Sequence, residues 1–267
     1  MSSRIAVGAI AYDPVTTAEA AAVVRGGLDR GNGGCLVVLD EAMRRRADHD
    51  RAQADRWSRA SMVLNGSPRL AWTSRLARRG QLRRCDAVQL VGTLCVAAAS
   101  DRRRIFVLGG APGRPGVPGG AQRAAAVLGL RYRGLRVAGC ASPVPSTDPI
   151  ELAAVAGDLL ATKPDLVLVG ADVDTSAWLV ATLRAELPGA WLIEVPGLVE
   201  RIVGPDHPMW NPPVRSLVHA LIAKDSASGP RPALRTESKA IAKDSASGPR
   251  PALRTESKAP RRASIVD

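Results

Sequence analysis

Aromatic residues are scarce in this sequence. They make up 3% of 267 residues, as five Trp, two Tyr and one Phe. An interior built on Ala, Val and Leu follows, because little else of sufficient size and apolarity is present. Histidine is rarer still: His49, His207 and His219 stand far apart. The four cysteines, Cys35, Cys85, Cys95 and Cys140, form no CxxC pair. Together these shortages exclude the ligand spacings of a zinc site, and no metal is expected. The cysteines read as small hydrophobes in a reducing compartment. No apolar run reaches the roughly 18 to 20 residues of a membrane span, and no signal-type leader opens the chain. The expected location is cytoplasmic, including the periphery of the inner membrane face.

Basic charge is plentiful. Thirty-seven Lys and Arg against 25 Asp and Glu leave a formal charge of +12, which favours an anionic partner: a membrane surface, nucleic acid or nucleotide phosphates. The basic residues are spread over 42–60, 69–84 and 102–104 with few interleaved aromatics, and no helix-turn-helix signature accompanies them, so nucleic acid is not the expected partner. Residues 222–240 read IAKDSASGPRPALRTESKA, and 241–259 repeat them without a change. This basic stretch, rich in Ser and Pro, predicts a disordered tail over 222–267 behind one domain at 1–221.

Within that domain the organising stretch is Ile105 to Gly109, a short apolar run closed by Gly109-Gly110 and Gly113. It reads as a buried parallel strand ending in a turn. Asp165 to Gly170 repeats the pattern. Further strands are expected at 4–12, 35–40, 61–66, 135–139 and 190–195. Between them, helices are expected over 16–28, 68–79, 90–99, 121–130, 149–162 and 175–186, and a charged helix face within 41–60. Thr16 to Glu19 forms a capping box. Prolines 196, 205, 208, 212 and 213 predict irregular chain after the last strand, with a short closing helix near 214–223. The alternation implies an α/β fold: an open, mostly parallel, Rossmann-like sheet flanked by helices.

Ligands of such sheets gather at the carboxyl ends of the strands. There the sequence offers Asp40, Asn65, Gly109, Gly110, Gly113 and Asp172. Asp40 reads as a general base or as the cap of the next helix. Asn65 reads as a ligand contact or as a turn residue before Gly66. The three glycines suit a backbone cradle for a nucleotide diphosphate, or close helix-to-sheet packing. Asp172 and Asp174 read as a ribose- or metal-binding pair or as a helix N-terminus. Trp178, Trp191 and Trp210 read as core or cleft walls.

The order and spacing of three stretches, Phe106–Gly110, Tyr132–Gly139 and Pro164–Gly170, resemble the WecG/TagA/CpsF family of glycosyltransferases, over about residues 4–221. The resemblance implies transfer of an N-acetylhexosamine, typically N-acetylmannosamine or its uronic acid, from a UDP-sugar. The implied acceptor is a polyprenyl-diphosphate-linked sugar at the cytoplasmic membrane face, and no cofactor beyond the UDP-sugar substrate is firmly implied. Several family positions differ. Val38-Leu39-Asp40 stands where the family has Thr-x-Asn. Leu64-Asn65-Gly66 replaces Ala-Asp-Gly, whose Asp is the family's implied base. Arg84 is kept from Arg-x-x-Gly-x-Asp, which implies a side chain suited to the donor phosphate, while Ala87 and Gln89 replace the motif's Gly and Asp. Asp174 to Ala177 stands for Pro-Lys-Gln-Glu, and Asp206 takes the place of the late Arg. Two functions are consistent with this pattern: a glycosyltransferase, or a non-catalytic descendant that binds nucleotide sugars or lipid diphosphates or acts as a scaffold.

Overall fold

Six parallel strands carry the molecule. In the computed structural model, which describes residues 4–76, 81–142 and 149–204, they are β3 (Gly34–Leu39), β4 (Met62–Asn65), β5 (Arg104–Gly109), β6 (Arg136–Ala141), β7 (Leu166–Gly170) and β8 (Trp191–Glu194). Their spatial order is β4-β3-β8-β7-β5-β6. A separate antiparallel hairpin, β1 (Ile5–Val7) with β2 (Ile10–Tyr12), precedes them. Its end is tied to β4 where Asp13 N–H donates to Val63 O at 2.8 Å and Val63 N–H donates to Asp13 Oδ2 at 2.7 Å.

The strands are nearly continuous apolar runs because helices cover both faces. Successive side chains of β3 serve opposite layers. Leu36 and Val38 pack with α1 (Thr17–Asp29), α5 (Ala87–Ser100), α6 (Gly120–Arg131) and α9 (Leu198–Val203). Val37 and Leu39 pack instead with α2 (Glu41–His49), α3 (Arg51–Ser58), α4 (Pro68–Leu76) and the hairpin. On the far half of that second face, α7 (Pro149–Thr162) and α8 (Val173–Glu186) cover Phe106, Leu108, Val167 and Val169. The small side chains of this aromatic-poor sequence are distributed over three such clusters.

Local signals explain most boundaries. Thr16 and Glu19 form the expected reciprocal box at the start of α1. The charged stretch 41–60 is two helices, because the Asp50 side chain accepts from Gln53 N–H and starts a second one. The residues Met43, Ala47, Ala54 and Trp57 form its buried side. Asp86 caps α5 by accepting from Gln89 N–H at 3.0 Å, so this helix begins at Ala87 rather than Leu90.

One expectation is corrected. The chain after β8 is not wholly irregular: Leu198–Val203 is a helix, entered through left-handed Gly197. Its Leu198, Val199 and Ile202 are buried against the first helical layer, and that burial outweighs the proline-rich surroundings. The expected closing helix near 214–223, Trp210, Asp206 and the tail lie outside the described residues.

Candidate functional site

The carboxyl ends of β3 and β4 are held in register, with Leu39 opposite Asn65. Asp40 is therefore the next residue beyond that pair. Asn65 also receives Cys85 N–H on its backbone oxygen at 2.7 Å and forms a single parallel bridge with Arg84. Sequence positions 40, 65 and 84 thus meet at one edge of the sheet. A cleft of about 160 Å³ opens there, lined by Val38, Asp40, Gly66, the Arg84–Val88 segment and Arg201.

The three candidates are not equivalent within it. The Asp40 carboxylate accepts Met43 N–H at 2.9 Å and so caps α2. A carboxylate has about four acceptor positions, and the cap leaves the others open to the cleft. Arg84 is exposed; its nearest ion-pair partner, Asp86, is 3.9 Å away, so its guanidinium is available to an anion. Asn65 behaves differently. It is buried and extended rather than left-handed, with Nδ2 donating to Ser67 O at 3.0 Å and Oδ1 accepting Ser67 N–H at 2.9 Å. Its amide fixes the turn after β4, and Asn65 does not line the cleft.

The glycine candidates lie elsewhere along the edge. Gly109 has φ +123°, and a Cβ there would sit 2.4 Å from Gly170 C. Gly110 has φ +72°, and its Cβ would sit 2.4 Å from Val199 Cγ1. Close approach of β5, β7 and α9 accounts for both glycines, the packing alternative foreseen from the sequence. Gly113 lies in the exposed loop beyond them. At the start of α6, Gly120 N–H is used by Ala111 O and Ala121 N–H by Ser142 Oγ. Those two amides already have protein partners.

Asp172 is the N-cap of α8 and accepts from Asp174 N–H at 3.1 Å and Thr175 N–H at 3.0 Å. Partial burial acts to raise its carboxyl, but hydrogen bonds from Thr175 and Asp174 outweigh it and hold it below the ordinary value. Asp174 pairs with Arg46 of α2. No group of three His, Cys, Asp or Glu able to hold a metal occurs among the described residues. Trp191 is core, with its indole N–H donating to Asn32 O at 3.0 Å, and Trp178 is packed against the third cluster.

Sequence reasoning missed Arg201. Its Nη2 donates to Pro196 O at 2.7 Å, which folds the exposed side chain back over the αL turn at the cleft. The Leu198-Val199-x-x-Ile202 spacing was the available signal for the helix that presents it.

A model of the glycosyl transferase WecG/TagA/CpsF family matches residues 5–207, from the first strand of the hairpin through α9. The chain belongs to that family. Membership makes it a glycosyltransferase-family protein of cell-surface polysaccharide biosynthesis. A comparison with curated proteins finds no match. No described helix is long and apolar enough to cross a membrane.

Proposed function

We propose that this protein transfers an N-acetylhexosamine of the N-acetylmannosamine type from a UDP-sugar to a polyprenyl-diphosphate-linked acceptor at the cytoplasmic membrane face. One observation supports this above the rest: Asp40 and Arg84 open onto the same cleft at the carboxyl edge of β3 and β4. In this reading Asp40 accepts the proton of the acceptor hydroxyl, whose oxygen attacks the sugar's anomeric carbon. The bond from that carbon to phosphate breaks, and UDP leaves with the electron pair. Arg84 and Arg201 offset the charge that develops on the departing diphosphate.

The position where the family's base is implied holds Asn65, which cannot accept a proton near neutral pH and is engaged with Ser67. That observation favours a second reading, a nucleotide-sugar or lipid-diphosphate binding module without turnover. Asp40→Asn separates the two. Asn caps a helix about as well as Asp, so folding is preserved while the base is removed. For an enzyme, kcat is expected to fall by roughly 100-fold or more, with UDP-sugar affinity little changed. Arg84→Ala is expected to weaken UDP binding by about tenfold, measured by calorimetry on the full chain. Binding sensitive to Arg84 without any transfer would select the binding module. A folded protein that binds neither a UDP-sugar nor a prenyl diphosphate would overturn both.

A further inference from the structure

Arg84 has a second side. It also lines a groove of about 560 Å³, between the first turn of α1, α4 and the Gln81–Arg84 segment. This groove falls within the size range of small-molecule sites, roughly 300 to 1,000 Å³, and the Asp40 cleft falls below it. The cleft can hold a reacting group, and the bulk of a substrate needs the larger space beside it.

The lining of the groove is specific in its chemistry. Trp72 of α4 is 64% exposed there, in contrast with the buried Trp57 and Trp191. An indole left in water at a groove wall offers a flat apolar face to a ring. Arg83 and Arg84 supply positive charge, and no carboxylate is among the described residues that line the groove. Arg83 forms no ion pair among the described residues, and acts electrostatically on Glu19. Thr17 and Gln89 add hydroxyl and amide groups suited to a polar ring substituent.

The geometry points to this groove as the seat of a diphosphate-linked ring, stacked on Trp72 with its diphosphate against Arg83 and Arg84. The inference rests on the proposed function, in which two substrates carry that chemistry: the UDP donor, with uracil and ribose, and the prenyl-diphosphate sugar of the acceptor. Arg84, common to groove and cleft, places the diphosphate within reach of the reacting centre.

The test is calorimetric titration of the full-length chain with UDP and, separately, with a short-chain prenyl-diphosphate N-acetylglucosamine. Wild type is compared with Trp72→Ala, Trp72→Phe and Arg84→Ala. Trp72→Ala is expected to weaken one of the two ligands about tenfold or more, while Trp72→Phe keeps most of the affinity because a flat ring remains. The weakened ligand identifies the occupant. Melting temperatures should be unchanged, since the side chain is largely exposed. Unchanged affinity for both ligands in Trp72→Ala, with UDP binding still lost in Arg84→Ala, overturns the groove assignment and leaves the proposed function standing. Failure of folded wild-type protein to bind either ligand overturns the two together.

Discussion

Asp172 shows how a side chain at the strand edge serves the helix that follows it. Its carboxylate takes two of the otherwise unpaired N–H groups at the start of α8 and sits at the positive end of the helix dipole. Because the folded carboxyl lies below its ordinary value of 3.8, its charge stabilises the fold above about pH 4. That contribution is lost as the pH falls through the depressed folded value. Asp172→Ala is expected to cost about 1 kcal/mol at pH 7, and the gap from wild type should narrow below roughly pH 4. Urea denaturation at pH 7 and pH 3 measures it; an equal gap at both would refute the charged-cap account. Asp40 and Asp86 are caps of the same kind on α2 and α5. A cap can be read from short-range sequence: Asp40 and Asp172 carried that reading, while Asp86 was passed over and its helix was expected only from Leu90. Whether a capping carboxylate also faces a cleft depends on chain brought from elsewhere.

At the scale of elements, α9 decides how the carboxyl edge is built. Val199 lies where β5, β7 and the start of α6 meet, and Gly109, Gly110, Gly120 and Gly170 are small because backbone and Val199 occupy the space. Gly110→Ala is expected to destabilise by about 2 kcal/mol, from the positive φ and the clash with Val199. Combined with Val199→Ala, the loss should be smaller than the sum of the single losses, because the shared clash is gone. Thermal or urea unfolding of the two single variants and the double variant gives the coupling. Unchanged stability of Gly110→Ala would remove packing as the reason for the glycine. The double glycine was visible in the sequence, but its neighbour was not. Val199 is 89 residues further along, on a helix too short to stand out among prolines.

Across the whole molecule, one polar contact links a covering layer to the centre of the sheet. Glu194 of β8 is fully buried and receives both Arg56 terminal nitrogens of α3, at 2.8 and 2.9 Å, with Trp57 Nε1 at 3.4 Å. Arg56→Ala would leave a buried carboxylate without its cation, a change expected to cost about 3 kcal/mol. Replacing both partners, as Arg56→Met with Glu194→Leu, should recover most of that loss. Denaturant unfolding of the single and double variants tests this. A small effect of Arg56→Ala would mean that the contact does little to dock α3.

The apolar runs at 105–109 and 166–170, the capping box at Thr16 and the glycine turns determined by themselves that this is a parallel α/β protein. They did so because strand burial and helix capping are imposed by residues close in the chain. Strand endings in the same sequence placed Asp40 and Asn65 at the carboxyl edge, whereas Arg84 joined them only through family resemblance. Tertiary structure decided that Asp40 and Arg84 share a cleft, that Asn65 is turned away into Ser67, and that Arg201 and Trp72 border the space around Arg84. Strand order is the physical reason. β8 enters the sheet beside β3 across more than 150 residues of chain, and no local pattern encodes which distant side chains that insertion brings together.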